Sequence, residues 1–342
     1  MSSTSTATRS AGRARRALLS LGLVPVLALG ACGTSLPTAE PEPAPAVPPP
    51  AVSIGQSQRV LDAIAEVVAA GDGTNDATGL AARLEGPALA ARSAEYVRAV
   101  ATGGTRAPTA LPFDEQVLVV PETDTWPRTQ LVVSEQPDDL QAPRVLVLRQ
   151  ASPREPYRLW GWARLMPGVS MPATAAPEEG SPVLAPDDDT LLVPPAEVAA
   201  RYADVLGAGD ASAHAATFAP DAFRGAIVDE RNRLSSSLGD AASLAETYTA
   251  AAEPVVALGT ADGGALVVAD MTTTSTVTLA VAGGRIPVEP FYAALAGGAT
   301  TAGTSLARTF TGVVVFYVPP AGSDAQVQVL AGEQIVTAAA AQ

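Results

Sequence analysis

Twice along this 342-residue chain a helical spacing of apolar residues gives way to an alternating one, and that switch narrows the folds open to it. Val60, Leu61, Ile64, Val67 and Val68 recur at three- and four-residue intervals, an apolar stripe down one side of a helix. Gly71-Asp72-Gly73 ends that helix, and a second helical stretch covers about residues 80–100. The period then falls to two. Residues 116–120, 129–134, 144–150 and 157–166 read as strands, broken most clearly by Pro137-Asp138-Asp139 and Pro153-Arg154-Glu155-Pro156.

The second occurrence begins at Pro194-Pro195, where proline suits the first turn of a helix. Val198, Tyr202, Val205 and Leu206 form its stripe, and Gly209-Asp210 stops it. Helical stretches are expected at 213–234 and 240–251. Strands are expected at 255–258, 265–280, 305–318, 326–330 and 334–338, with a hairpin turn at Ala261-Asp262-Gly263-Gly264. Between the two occurrences, residues 169–193 are rich in proline and acid, including Asp187-Asp188-Asp189, and read as a linker between domains or a long strap lying across one of them. Ala69-Ala70-Gly71-Asp72 and Gly207-Ala208-Gly209-Asp210 follow the first helix of each half, a hint of internal duplication.

The expected class is therefore α+β: two tandem domains, 53–168 and 194–342, each with helices followed by an antiparallel sheet. In element order each half resembles the NTF2-like or cystatin-like fold. Trp126-Pro127-Arg128, the stretch Gln136 to Arg144 and the stretch Pro153 to Trp162 resemble actinobacterial predicted lipoproteins of a domain-of-unknown-function family. That resemblance implies no activity.

Residues 1–31 read as a signal peptide. Arg9, Arg13, Arg15 and Arg16 precede an apolar run from Ala17 to Ala31. As a helix that run spans about 22 Å, short of the roughly 30 Å of a hydrocarbon core. It ends Leu29-Gly30-Ala31-Cys32, which resembles the bacterial lipobox. The resemblance implies cleavage before Cys32 and a thioether-linked diacylglycerol on its sulfur. Two acyl chains suffice for stable anchoring on the extracytoplasmic face of the cell membrane. Cys32 is the sole cysteine, so an intramolecular disulfide is excluded. Residues 32–52 carry seven prolines and read as an extended tether of roughly 50 Å.

Composition excludes several chemistries. All 21 basic residues are arginine, so lysine nucleophiles, Schiff bases and the P-loop lysine are absent. The net charge of −14 becomes −18 once the four arginines of residues 1–31 are removed. Such a chain is repelled by nucleic-acid phosphates and by anionic headgroups, which leaves the covalent anchor to hold it. One histidine, His214, rules out multi-histidine zinc sites, and no Gly-x-Ser-x-Gly elbow accompanies it. His214 reads as a helix-surface or turn-capping residue. Asp187-Asp188-Asp189 lacks the spacing of a calcium loop and reads as solvated surface. No cofactor, metal or catalytic residue is assigned.

The remaining candidates are aromatic. Trp160 and Trp162 lie two apart on one expected strand and so share a face, flanked there by Arg158 and Arg164. This face is the candidate binding surface for an envelope protein or wall component. The competing reading is packing, with arginine stems against indoles. The expected function is thus a non-enzymatic, lipid-anchored binding or scaffold module. The alternative is a hydrolase or isomerase using carboxylates in an NTF2-like cavity that raises an acid's pKa.

Overall fold

The apolar stripe at residues 60–68 becomes the buried face of helix α1 (Ile54–Asp72), which hides Leu61, Ile64 and Val68. In this computed structural model residues 47–135, 141–252 and 254–342 are described. Cys32, the leader, most of the tether and the Pro137-Asp138-Asp139 turn lie outside them. Helix α1 opens on a capping box. Ser53 Oγ accepts from the Gln56 amide, and the Gln56 side chain accepts from the Ser53 amide at 2.8 Å. Helix α2 (Gly86–Ala101) places Pro87 in its first turn. Strands β1 (Glu115–Val119), β2 (Arg128–Ser134), β3 (Arg144–Gln150) and β4 (Arg158–Leu165) follow.

The second half repeats the sequence of elements. Helices α3 (Pro195–Ala208) and α4 (Ala222–Leu238) precede β5 (Ala242–Ala250), β6 (Val256–Gly259) and β7 (Ala265–Leu279). A short helix α5 (Pro290–Leu295) leads to β8 (Ser305–Val318) and β9 (Gln328–Ala341). The class is α+β.

The halves do not separate into two domains with a linker. Residues 45–342 form one unit. All nine strands share one antiparallel sheet in the order β1-β2-β3-β4-β9-β8-β7-β5, with β6 added on β7. The last strands of the two halves, β4 and β9, meet at its centre through Leu165–Ala331 and Arg164–Gly332. The order is a palindrome, a four-strand run from each half joined at its final strand.

The 169–193 segment is a strap rather than a linker. Ser181–Pro182 pairs in parallel with Pro121–Glu122, just beyond β1. The Ser181 amide donates to Val120 O at 2.7 Å, and the Leu184 amide donates to Ala257 O at 2.9 Å on β6. The strap therefore joins the N-terminal edge of the sheet to β6 and closes the sheet into a barrel. A short run punctuated by proline suits this position, because an edge partner needs few donors.

Three large cores result, beside a small cluster of Val288, Ala293, Ala302 and Leu306. The barrel interior collects Val119, Leu131, Val145, Val147, Leu258, Leu266, Val268, Val313 and Val315. About eight strands enclose a space that side chains can fill. Outside, α1 and α2 cover one half with Leu61, Ile64, Leu80, Leu146, Leu148, Leu159 and Trp162. On the other half, α3 and α4 pack Val198, Tyr202, Leu206 and Ile227 against Val267, Phe316 and Val329.

Four local expectations are corrected. The segment 240–251 holds strand β5 (Ala242–Ala250), not a helix. Leu244, Glu246 and Tyr248 alternate with exposed Ser243, Ala245, Thr247 and Thr249, and threonine and tyrosine favour that geometry over helix. The helix expected at 213–234 begins only at Ala222, after a 3-10 turn at Ala215–Thr217. The strands expected at 326–330 and 334–338 are one, β9. The fourth concerns the tryptophans. A bulge in β4 pairs Val147 with Gly161 but Leu148 with Leu159. Trp160 is the extra residue, so Trp160 and Trp162 point to different sides.

Candidate functional site

The bulge divides the aromatic quartet. Trp162 lies with Leu159 in the core under α1 and α2, 2% exposed, with the Arg92 guanidinium 5.7 Å from its ring. Trp160 is half-buried between the barrel interior and the first turn of α2. There Gly86 adopts φ +52°, and a Cβ would stand 3.0 Å from the indole nitrogen, so the close approach requires glycine. Arg158 pairs with Glu155 at 2.9 Å and Glu85 at 3.6 Å. Arg164 is exposed. The four residues do not form one surface.

Three buried acid clusters could carry chemistry, and each is committed to the fold. Arg92 and Glu95, both fully buried, pair at 2.9 Å on α2. Glu95 also accepts from Arg98 and from Thr109, while Arg92 donates to Thr109 O at 2.7 Å. Asp72 at the end of α1 accepts from Tyr96 at 2.7 Å. Burial and that bond push the Tyr96 hydroxyl's pKa well up. This network fastens α1, α2 and the chain at 107–109 together.

Glu333 lies beside Arg144 at 2.5 Å. Burial raises its carboxyl above the usual range, against the pull of Arg144 and Arg164. The cavity it lines with Trp162, Thr311 and Ile335 measures about 10 Å³, room for one water at most. Asp221 caps α4, accepting from the Arg224 amide at 2.7 Å and from Tyr202 at 3.0 Å, and burial raises its pKa too. Glu333 and Asp221 line different cavities. His214 stands half-exposed before the 3-10 turn, its amide bonded to Ser212 Oγ. Asp188 closes a turn onto Thr190. Among the described residues no group of three ligating side chains could hold a metal.

A different region gathers arginines that have no carboxylate partner. The chain enters the folded unit at residues 50–52, pinned by the Ala51 amide to Pro121 O at 2.8 Å. Helix α1 then presents Gln56, Arg59, Val60 and Ala63 along one side, spacing that places them on one face. Opposite stand Arg83, Trp126, Arg128, Gln150 and Tyr157, and together they border an open cleft of about 420 Å³. That volume falls within the range of small-ligand sites.

The walls are ordered from within. Trp126 Nε1 donates to Gln150 Oε1 at 3.1 Å, and Gln150 Nε2 donates to Glu155 O at 2.8 Å. The Arg128 guanidinium lies 3.9 Å from the Trp126 ring centroid and donates to the carbonyls of Thr125 and Ala51, each at 3.2 Å. Arg83 reaches Tyr157 O at 3.5 Å. None of Arg59, Arg83 and Arg128 has a carboxylate partner, although nine other arginines of the described residues do. Among the described residues no acid lines the cleft.

Tyr157 adds a second anomaly. It is 6% exposed, and its buried hydroxyl has no hydrogen-bond partner. A buried polar group left unpaired costs about 1–3 kcal/mol. Burial pushes its pKa up to about 12, with Arg128 acting in the opposite sense. The hydroxyl therefore stays protonated at neutral pH and can donate. The cleft offers guanidinium and hydroxyl donors, with no carboxylate acceptor.

The match to known families spans the same unit. The family described as Domain of unknown function (DUF8094) matches residues 48–341. The chain belongs to this family. The match starts beside the cleft, runs through both halves and the strap, and treats them as one region. No curated protein and no solved structure matches the chain.

Of the cleft residues, Trp126, Arg128, Pro153 and Tyr157 fall in the runs that carry the family resemblance. Arg59, Arg83 and Gln150 come from three separate parts of the chain, and no spacing links them.

Proposed function

We propose that the protein is a lipid-anchored, extracytoplasmic, non-catalytic module that holds an oxyanion in the cleft between α1 and the Trp126–Arg128 corner. One observation carries the reading: three arginines without acid partners line a cleft beside an unpaired buried hydroxyl, in a chain of net charge −14. A local positive field on an acidic protein selects anions, and guanidinium groups suit phosphate and carboxylate geometry. A wall component or an envelope protein could present such a group.

The anchor part of the reading rests on Leu29-Gly30-Ala31-Cys32, which resembles the bacterial lipobox, and on the arginine-bearing leader before it. Among the described residues no helix is long and apolar enough to cross a membrane. The carboxylate-enzyme alternative needs two acids converging on one cavity. The two cavity-lining acids whose pKa is raised, Glu333 and Asp221, serve Arg144 and the α4 cap instead.

Two measurements test the proposal. Cys32→Ser should abolish uptake of labelled palmitate, and continued labelling would defeat the anchor. Titration with inorganic phosphate, read by ³¹P line broadening, should show binding that Arg83→Gln weakens at least about ten-fold, the usual loss for a charged hydrogen bond. Equal binding by both proteins would defeat the anion site.

A further inference from the structure

The position of the cleft says more about its ligand than its lining alone does. Ala51 and Val52, the residues through which the chain enters the fold, form part of its wall. Ala51 O is bonded to Arg128, the same guanidinium that stacks on Trp126. Eighteen residues separate Cys32 from Ala51, so the reach from anchor to cleft is at most about 68 Å. Among the described residues, the lining of this cleft begins within five residues of the point where the described chain starts.

From this placement we infer that the oxyanion is the phosphodiester of an anionic phospholipid headgroup, belonging to the bilayer that carries the protein's own anchor. The inference rests on the anion-binding reading of the cleft and on the anchor at Cys32. Charge complementarity is local: the chain as a whole repels an anionic bilayer, while this one opening, bordered by Arg59, Arg83 and Arg128 without any acid, attracts it. Each basic residue near an anionic surface strengthens binding about five-fold. Three such residues make a weak site for a ligand in free solution. A tether of this length, however, converts capture into an intramolecular event with an effective ligand concentration of order millimolar, enough to keep a weak site filled. Headgroup capture would then fix which face of the acidic module points outward, something the covalent anchor alone does not do.

The test uses the processed, acylated full chain in mixed micelles. Native mass spectrometry should show phosphatidylglycerol retained over phosphatidylcholine by at least about five-fold. The Arg59→Gln/Arg83→Gln protein should bring the two lipids to parity. Tyr157→Phe, which preserves charge and nearly preserves volume, should reduce the preference by at least half; a folded charge-state distribution guards against trivial loss. A parallel ³¹P titration with inorganic phosphate separates the outcomes. Phosphate binding with no preference between the two lipids would overturn the headgroup assignment and leave the anion site standing. Failure of both would overturn the two together. A lipid preference that survives the double substitution would place the headgroup elsewhere.

Discussion

Replacing Trp162 by alanine should destabilise the protein by about 3 kcal/mol, whereas Trp160→Ala should cost about half as much. Trp162 is 2% exposed and packs with Leu146, Leu148, Leu159 and Ile335 beneath α2. Emptying a buried aromatic site costs about 3–5 kcal/mol. Arg92, fully buried 5.7 Å from the ring, would lose its aromatic contact as well, adding to the loss. One contribution runs the other way. Trp162 Nε1 is buried without a partner, a cost of about 1–3 kcal/mol that the substitution removes, which keeps the net near the lower end. Trp160 is only half-buried, and its cost scales down with the area it hides. Trp162→Phe keeps most of the ring and discards the unpaired donor, so it should cost no more than about 1 kcal/mol. Urea unfolding of the three variants, with two-state behaviour checked by coincident probes, measures each value. Equal losses for the two alanine variants, or a loss below about 1 kcal/mol at Trp162, would refute the opposite-face placement that follows from the β4 bulge.

Two further outcomes follow from buried charge. Glu95→Gln should cost about 3 kcal/mol, because it strips the carboxylate from a fully buried Arg92, while Arg92→Met with Glu95→Leu should recover most of that in thermal unfolding; a double variant no better than the single one would show the pair to be net stabilising. Burial raises the pKa of Asp270, so the fold favours its protonated form, and that contribution is full at low pH and fades as pH rises through the folded value. Asp270→Asn should therefore raise the melting temperature at pH 7 and lose that advantage near pH 4, and a gain that is larger at pH 4 would contradict the sign.

The helices that the sequence displays are those with a one-sided apolar stripe. Val198, Tyr202, Val205 and Leu206 mark α3 as plainly as residues 60–68 mark α1, and all four are buried. Helix α4 hides only Ile227, so its start at Ala222 leaves little trace. The β4 face was misassigned because a bulge inserts a residue without altering composition, and one inserted residue reverses every side chain beyond it. Residues 169–193 leave linker and strap equally open for another reason. Proline and acid in a row describe a segment that cannot form a core, and that holds equally for a free linker and for a strap tied by backbone bonds. Ser181 N to Val120 O and Leu184 N to Ala257 O distinguish the two, and backbone pairing across 60 to 75 residues leaves no signature in side-chain type.

The cleft was invisible for a deeper reason, and that reason bears on what it is for. A residue needed by the fold is announced by the pattern that buries it; Arg92 is held by Glu95 three residues on and by Asp72 on the neighbouring helix. Arg59 makes no bond of this kind, and Arg83 makes one long bond to a carbonyl. Their removal should leave every core and the sheet closure untouched. Tyr157 is the reverse case: its ring is required by the packing of Leu159 and Val52, in whose cluster it lies, yet phenylalanine would supply that packing without an unpaired hydroxyl. Folding accounts for the ring and not for the oxygen, as it accounts for the walls of the cleft and not for its charges. Arg59, Arg83 and the Tyr157 hydroxyl, three donors for which the fold gives no charged or hydroxyl-bonding partner, belong to residues that border one cleft, where the chain enters the folded unit. Binding an anionic ligand would use all three at once.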